Sequence, residues 1–481
     1  MTTSLWTNNR RLPDGPPHAL LFGADHARRD DEAMQRFRRY GVGQFIHFGL
    51  YSIPGNEWNG VSATGGAPAP EWIRAWRGPT APENWTATYD RLNEQFDPTG
   101  LDAVAWARQA KRMGSRYTVF TTKHHDGFAL WPSAHSDYTV ASSPYGRDIV
   151  ADVVDAYTAE GIDVFLYFSV LDWSHPGYTD DVPTTPAARE AWQEFLQYTR
   201  AQLFELLDRY PAAKGLWFDG TWGRAWIDSY EFSHRLEQEL RARRPGLIIG
   251  SRFRNDEHGA RHFDSNGALL GDYEQGWERK LPPSRALLGG NDWDCVMTIG
   301  PNAWGWMRDT NGQYQKTADD LIDLLMRSRS MGGNLVVNFG PDGTGRMTDH
   351  ESQVTEALGR WVAANQAAVY DVEPVDADAG GIGWLTGRHD RAYLTVVNRP
   401  VNGIARLRFP AGSHQSPSAA RLLATGRDLV VRRTDLGFDL DEAVYYDVVV
   451  PADFAADRAF VIEIDLVEAE QPSAVREDAM M

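Results

Sequence analysis

Short apolar segments alternate with amphipathic helical patterns over residues 40–366, and this alternation is the strongest constraint on the fold of the 481-residue chain. Segments such as "DVFLYFS" (163–169) are continuously apolar, as strands buried on both faces should be. Helical patterns such as "LDAVAWARQAKRMG" (101–114) end at glycine, the expected stop signal. Strand–helix alternation favours a parallel sheet, and about eight such units close a barrel. The sequence therefore predicts an α/β fold, a (β/α)8-like TIM barrel.

The predicted barrel strands are residues 42–48, 116–122, 163–169, 215–220, 247–251, 268–273, 294–300 and 334–340. After about residue 370 the pattern changes to short alternating runs separated by turn residues, such as "RAYLTVVN" and "AVYYDVVV". That pattern is typical of an antiparallel β-sandwich. The predicted boundaries are an N-terminal extension (1–33), the (β/α)8-like barrel (34–369), the β-sandwich (370–470) and a tail (471–481).

Composition excludes several classes of partner. Lys and Arg total 48 against 66 Asp and Glu, a net charge of −18 that argues against nucleic acid and anionic membranes. No stretch approaches the roughly 18 apolar residues of a membrane-spanning helix, and the first twenty residues lack the apolar core of a secretory signal. The sequence thus predicts a cytoplasmic protein without an intrachain disulfide, since Cys295 is its one cysteine. The oligomeric state stays open, a homo-oligomer included.

Aromatic residues are frequent, with 18 Trp, 18 Tyr and 20 Phe, and many stand beside Gly, His or Asp rather than in apolar runs. One interpretation is a core rich in tryptophan. The other is a pocket lined with aromatic faces, which suits sugar rings.

Polar residues follow most of the predicted strands, at the barrel end where catalytic groups of such folds lie. They are His47, His124, His125, Tyr167, Asp219, Arg252, Asp272, Glu274 and Glu278, with Trp304 after the seventh strand. This many polar strand ends indicates a binding or catalytic site at this end of the barrel.

Two adjacent histidines, His124 and His125, allow several interpretations. Successive side chains on a strand point to opposite faces, so the two would make a poor pair of metal ligands. No H-E-x-x-H motif or Cys/His cluster exists either, and we predict neither a metal nor a cofactor. One His bonded into the core is an alternative. The favoured hypothesis is that both are neutral partners for substrate hydroxyls, oriented by Lys123 and Asp126.

Asp219 follows three apolar strand residues in "GLWFDG". A carboxylate there is costly to bury unless it is paired or functional, although an Asp-Gly turn would also account for it. A second carboxylate is available in "GDYEQGWERKLP" (271–282). Two carboxylates facing each other across a pocket are the equipment of glycoside hydrolysis.

Ordered motifs over about residues 34 to 366 together resemble the α-L-fucosidases of glycoside hydrolase family 29. The most specific is "TTKHHDGFALWPS", which resembles that family's "T-x-K-H-H-D-G-F-x-x-W-x-S". "FIHFGLYSIPGNEW", "VFLYFSVLDWSHP", "GLWFDG", "GDYEQGWERKLP", "DWDCVMTIGPNAWGW" and "SMGGNLVVNFGPDGTG" are similar to further blocks in the same order. The resemblance implies an exo-acting retaining glycosidase that hydrolyses terminal α-L-fucosyl residues of oligosaccharides or glycoconjugates.

The resemblance also implies residue roles. Asp219 would be the nucleophile and Glu278 the general acid/base. "GDYEQGWE" has one residue more than the family's "GDYxTPE", so Glu274 stays an alternative for the second role. The implied substrate-binding residues are His47, Glu57, Trp58, His124, His125, Tyr167, Trp217, Arg252 and Trp304. An α-L-galactosidase with the same pocket, a non-catalytic carbohydrate-binding protein and a metal-dependent hydrolase are the alternative functions.

Overall fold

The computed structural model describes residues 28–310, 312–434, 443–454 and 458–469. The chain divides into two compact units. The first contains the residues up to Ala318 together with Gly333–Arg360, and the second contains Asp319–Gly332 and the chain from Trp361 onward. Most of the predicted N-terminal extension (1–33) and all of the predicted tail (471–481) lie outside the described residues. The predicted domain boundaries stay predictions.

The first unit is built on a parallel sheet of eight strands. They are β1 (Val42–Ile46), β2 (Tyr117–Lys123), β3 (Asp163–Ser169), β4 (Gly215–Asp219), β5 (Ile248–Ile249), β6 (Glu274–Glu278), β7 (Trp293–Thr298) and β8 (Asn334–Phe339). Their hydrogen-bonded order is β5-β4-β3-β2-β1-β8-β7-β6. The two edge strands of this order are β5 and β6. A parallel bridge between Gly250, directly after β5, and Tyr273, directly before β6, joins them. The predicted TIM-like barrel is confirmed.

Helices connect most of these strands. They are α1 (Glu32–Arg38), α2 (Trp85–Asp90), α3 (Ala103–Met113), α4 (Ile149–Ala159), α5 (Pro186–Arg209), α6 (Arg224–Ile227), α7 (Tyr230–Arg243), α8 (Ala318–Ser330), α9 (Asp349–Ala364) and α10 (Gln366–Val369). Local sequence explains their ends. Asp102 accepts a hydrogen bond from the Ala105 N–H at the start of α3, and Gly114 ends that helix with φ of 92°. Of the helices in the described ranges, none combines the length and apolar composition that crossing a bilayer requires.

The sixth strand differs from its prediction. The apolar segment 268–273 was the expected strand, but β6 is the following, more polar Glu274–Glu278. Gly271 instead packs directly on the backbone of Gly250, where an added Cβ would lie 2.7 Å from the Gly250 carbonyl carbon. Hydrophobic periodicity misses a strand of this kind because β6 presents polar side chains at the end of the barrel.

Aromatic rings fill much of the barrel interior. Phe37, Tyr117, Phe165 and Tyr273 are all buried and belong to one apolar cluster. The same cluster includes Trp217 and other aromatic residues close to the strand ends. The interpretation of the aromatic residues as core residues therefore holds for the part of the barrel away from the carboxyl ends of its strands. This packing supports the polar groups at those ends.

The second unit contains an antiparallel β-sandwich, as predicted. Its strands are β9 (Glu373–Pro374), β10 (Gly383–Arg388), β11 (Arg391–Val396), β12 (Ile404–Phe409), β13 (Gln415–Leu422), β14 (Asp428–Thr434), β15 (Val444–Val449) and β16 (Phe460–Glu468). Strand β12 shows the reason for the fold: alternate residues are buried, and Ala405, Leu407 and Phe409 contribute to the apolar core of this unit.

Candidate active site

A narrow cavity lies at the carboxyl ends of the barrel strands. Its lining residues are Phe45, His47, Glu71, Trp72, His124, His125, Trp217, Asp219, Arg252, Glu278 and Trp304. Most of them were predicted from their positions after strands. Tyr167 is also brought to the site, because its hydroxyl donates to Asp219 Oδ2 over 3.0 Å.

Arg252 joins the two candidate catalytic carboxylates. Its Nη1 donates to Asp219 Oδ1 over 3.1 Å, its Nη2 donates to Glu278 Oε2, and its Nε donates to the Gln275 carbonyl over 2.9 Å. Burial by itself would lower the pKa of the Arg252 guanidinium, but the charges of Glu278 and Asp219 outweigh burial and raise that pKa. One guanidinium therefore holds both carboxylates in place across the cavity.

Asp219 ends β4 and is 8% exposed. Its carboxylate accepts hydrogen bonds from Tyr167 and Arg252, so the buried charge is paired on both oxygens. The glycine that follows serves the turn itself: Gly220 has φ of 73°, and a Cβ there would lie 2.5 Å from the Leu171 nitrogen. Asp219 is thus more than a turn residue, and its carboxylate faces the cavity.

The structure corrects the expectation for the paired histidines. Strand β2 ends at Lys123, and its pairing with β3 is irregular between Thr121 and Lys123. His124 and His125 therefore lie beyond the regular pleat, with ring centroids 4.2 Å apart, and both line the cavity. The prediction that they point to opposite faces is wrong, because alternation applies only where the strand remains regular.

The hydrogen-bond network assigns the proton positions of His47. Its Nδ1 lies 2.6 Å from Asn338 Oδ1, and the Asn338 amide nitrogen donates to the Trp304 carbonyl over 2.8 Å. Because the oxygen of Asn338 can only accept, His47 Nδ1 carries the proton and Nε2 is left as an acceptor. Burial lowers the pKa of His47 to about 3, so the ring is neutral near pH 7.

His125 has the same arrangement. Its Nδ1 lies 2.7 Å from Ser169 Oγ, and the Ser169 hydroxyl donates its proton to the Leu171 carbonyl over 2.7 Å. His125 Nδ1 is therefore the donor and Nε2 an acceptor. Burial lowers the pKa of His125 to about 3, although the charge of Glu278 acts in the opposite direction. His47 and His125 thus present neutral imidazoles with acceptor nitrogens in the cavity wall, and Nε2 of His125 lies 3.7 Å from Asp219 Oδ2.

Three potential metal-ligand atoms come together at this place. One atom each of His124, His125 and Asp219 lie within 4.8 Å of one another, the one such group in the described residues. A divalent cation there would lie beside the Arg252 guanidinium, and both Asp219 oxygens already accept hydrogen bonds. The donor set therefore suits hydroxyl groups better than a metal ion. The prediction that no metal is required stays a prediction.

The structure does not place Glu57 and Trp58 at the cavity. They form a short hairpin with residues 61–62, and Trp58 packs edge-on against Trp85 with ring centroids 5.4 Å apart. Glu71 and Trp72 line the cavity instead. The sequence contains the dipeptide Glu-Trp at both positions, so the second pair was visible, but nothing local distinguishes the two.

Glu71 is held in the cavity wall by backbone donors. Its Oε2 accepts hydrogen bonds from the Trp304 N–H over 3.3 Å and the Gly305 N–H over 3.0 Å, and the residue is 2% exposed. Burial raises the pKa of Glu71 to about 7, and the backbone donors only partly offset that increase. A carboxyl group of this kind can donate or accept a hydrogen bond near neutral pH.

Three tryptophans that were not predicted as site residues surround the His125 ring. The His125 ring centroid lies 5.0 Å from that of Trp72, 5.6 Å from that of Trp173 and 5.5 Å from that of Trp222. All three tryptophans are partly exposed. They come from loops after different strands, so only the closed barrel brings them together.

The two candidate acid/base residues occupy different places on β6. Glu278 ends the strand and lines the cavity. Glu274 begins the strand, is 0% exposed and does not belong to the cavity lining. The register of β6 against β7 shifts between Glu274 and Trp277, so simple alternation does not put the two glutamates on one face. Position therefore favours Glu278.

Lys123 supports the histidine turn from within the barrel wall. Its Nζ donates to Asp172 Oδ2 over 2.8 Å and to Gln202 Oε1 over 2.9 Å, and the side chains of the ion pair are 0% exposed. The Trp173 N–H, next along the chain, donates to the His125 carbonyl over 2.9 Å. The ion pair therefore ties the turn after β3 to the turn that carries the histidines.

We expect Lys123→Met to lower the free energy of unfolding by about 3–5 kcal/mol, because it leaves the buried Asp172 carboxylate without its cationic partner. Urea unfolding followed by tryptophan fluorescence measures the change. Lys111→Met is the matched control: Lys111 is exposed, and its loss should change stability by less than about 0.5 kcal/mol. Equal urea midpoints for Lys123→Met and wild type would show that the buried pair does not stabilise the fold.

An eight-stranded parallel barrel whose strand ends hold two carboxylates on one arginine, neutral imidazoles and tryptophan faces defines a glycoside hydrolase of the (β/α)8 class. The comparisons with known proteins specify the family. The family model described as Alpha-L-fucosidase matches residues 22–367, and the chain belongs to this family.

Several relatives show the extent of the similarity. The chain is 27% identical to an α-L-fucosidase of Branchiostoma floridae over 78% of this chain and 81% of that protein. It is 27% identical to human tissue α-L-fucosidase over 77% of each chain. Among solved structures, a family 29 α-L-fucosidase of Bacteroides thetaiotaomicron is 39% identical, with a TM-score of 0.84 over 95% of this chain and 100% of that one. A family 29 α-L-fucosidase of the same organism has been trapped as a covalent intermediate with 2-fluoro-fucosyl fluoride, using a Glu-to-Gln mutant.

Proposed function

We propose that this chain is an exo-acting retaining α-L-fucosidase that releases terminal α-L-fucosyl residues from oligosaccharides or glycoconjugates. The observation that carries the proposal is the pair of carboxylates, Asp219 and Glu278, held by Arg252 in a cavity at the barrel end. Support also comes from the covalent intermediate of the Bacteroides relative, since double displacement proceeds through such a species.

In the first step, an Asp219 oxygen attacks the anomeric carbon while Glu278 gives its proton to the glycosidic oxygen. The bond to the leaving group breaks, and a fucosyl ester of Asp219 forms. In the second step, Glu278 removes a proton from water, the water oxygen attacks the anomeric carbon, and the Asp219 carboxylate is released. The hydrogen bonds from Tyr167 and Arg252 orient the nucleophile for both steps.

The cavity wall offers partners for the three ring hydroxyls of L-fucose besides the anomeric one. His47 and His125 present acceptor nitrogens. His124 Nδ1 and Trp217 Nε1 are buried, and neither has a hydrogen-bond partner within the described ranges. A buried polar atom left unpaired costs about 1–3 kcal/mol, so a hydroxyl group that bonds one of these atoms is favoured.

Trp304 supplies the apolar part of the site. Its ring stacks on His47, with centroids 5.3 Å apart and planes 28° from parallel, and it lines the cavity. An aromatic face of this kind suits the C6 methyl of fucose, whereas the C6 hydroxyl of L-galactose would lose hydrogen bonds to water there. Initial rates with 4-nitrophenyl α-L-fucoside and α-L-galactoside test the choice. Faster turnover of the galactoside would refute it, and no turnover of either would refute catalysis.

The stereochemical outcome is a separate prediction. If Asp219 is a nucleophile, the first product seen by proton NMR should be the α-anomer of L-fucose, and the β-anomer should appear later through mutarotation. The reason is that two inversions at the anomeric carbon restore the starting configuration. Appearance of the β-anomer first would mean that water attacks directly and that Asp219 acts as a base.

A further inference from the structure

The loop after β5 carries a second arginine, Arg261, toward the same end of the barrel. Arg261 forms an antiparallel backbone bridge with Asn255. Asp256 holds the loop between them, because its Oδ1 accepts hydrogen bonds from the His258 N–H over 3.0 Å and the Ala260 N–H over 2.7 Å. The position of Arg261 is therefore set by hydrogen bonds within the loop.

The Arg261 guanidinium has no hydrogen bond or ion pair with any described residue, although its side chain is only partly exposed. Other arginines nearby are paired: Arg254 with Glu237, and Arg252 with Asp219 and Glu278. A partly buried charge without a partner is costly unless a ligand supplies the partner.

Arg261 lies in the same loop after β5 as Arg252, at the end of the barrel where the catalytic groups lie. Burial and the positive charge of Arg252 together lower the pKa of Arg261 to about 10, and the charge of Asp219 acts in the opposite direction. Arg261 is therefore charged at neutral pH. It also lies within electrostatic reach of the carboxylate that attacks the sugar.

Asn255 provides an independent observation. In an antiparallel bridge, directly opposed side chains lie on the same face, with Cβ atoms about 4.5–5.5 Å apart. Asn255 is 1% exposed, and both its amide nitrogen and its amide oxygen lack a hydrogen-bond partner within the described chain. Buried amides are almost always bonded. An unpaired amide beside an unpaired guanidinium indicates a polar site whose ligand is external to the chain.

We infer that Arg261, supported by Asn255, binds an anionic group, a carboxylate or a sulfate, on the leaving group of the fucoside. The inference rests on the proposed function. L-Fucose itself is neutral, so any negative charge on the substrate belongs to the group that is released. The chain has a net charge of −18 and as a whole repels an acidic leaving group, so binding of such a group requires a local cation. The residue thereby selects among fucosides with different acceptors.

The test compares matched substrates that differ in charge. They are 3-carboxy-4-nitrophenyl α-L-fucoside and its methyl ester, with the 3-sulfo-4-nitrophenyl fucoside as a second anionic arm. We expect Arg261→Met to lower kcat/KM for an anionic substrate about tenfold more than for the ester. The sulfonate of the second arm stands in for a sulfate, and the arm with the larger effect shows whether a carboxylate or this tetrahedral anion is the better ligand. The comparison between enzymes cancels the different reactivities of the leaving groups.

Arg224→Met is the control, because it removes the same charge from an exposed arginine at the start of α6, whose ion pair in the described ranges is with Asp228. It should leave the ratio between anionic and neutral substrates unchanged. Equal loss on all substrates in Arg261→Met would overturn the inference and would show that Arg261 acts on Asp219. An unchanged ratio in both arms would also overturn it. Inactivity of the wild type on every fucoside would instead refute the proposed function.

Discussion

Asp219→Gly is expected to lower kcat on the order of 10⁴-fold while the protein remains folded. The variant removes the atom that forms the covalent bond to the sugar. It leaves Arg252 paired with Glu278, so no buried cation loses all its partners. Asp219 also lies at the cavity rather than inside the apolar core, so its loss should leave barrel packing intact. Steady-state kinetics on an aryl fucoside and a circular dichroism spectrum measure the two effects.

Azide makes this experiment specific for the nucleophile. A small anion can occupy the space of the missing carboxylate and attack the anomeric carbon once, which gives β-fucosyl azide by a single inversion. Asp228→Gly is a matched control, since it removes an exposed carboxylate at the end of α6, after the same strand, and should retain nearly full activity. Normal turnover in Asp219→Gly, or an azide product in the α configuration, would contradict the assigned role.

The second large effect is expected from Glu278→Ala, and its size should depend on the leaving group. A natural fucoside needs a proton on the departing oxygen, so we expect a loss of about 10²–10⁴-fold in kcat/KM. The aryl group of an activated fucoside leaves as a stable anion without protonation, so kcat/KM for this substrate should fall far less. Glu278 is assigned this role because it lines the cavity and shares Arg252 with the nucleophile.

Glu274→Ala separates the two glutamates. Glu274 is buried at the start of β6 and lies outside the cavity lining, so its loss should affect natural and aryl fucosides by a similar, smaller factor. Thermal unfolding of both variants distinguishes a folding defect from a catalytic one. If instead Glu274→Ala shows the strong dependence on the leaving group and Glu278→Ala does not, the acid/base role belongs to Glu274.

The chain order of apolar segments and the residues that follow them were sufficient to predict the barrel and much of its site. His47 and Asp219 stand at the carboxyl ends of apolar segments, and parallel strands that close a barrel must bring those ends together. The alternating pattern after residue 370 likewise predicts a sandwich, because one face of each strand has to be buried. These conclusions depend only on hydrophobic periodicity and on the direction of the strands, and both can be read from the sequence.

Only the tertiary structure decided which side chains meet. The irregular end of β2 turns His124 and His125 to the same cavity, and no local pattern indicates where a strand loses its regular pleat. Two Glu-Trp pairs are equivalent as sequence, yet the backbone N–H groups of the Trp304 loop select Glu71, more than 200 residues earlier in the chain. The hydrogen bonds from Arg252 to Asp219 and Glu278 likewise join residues that follow or end separate strands. Side-chain direction and long-range contact depend on how the whole sheet closes. For that reason the sequence could indicate the candidate site residues, and only the tertiary structure determined which of them line one cavity.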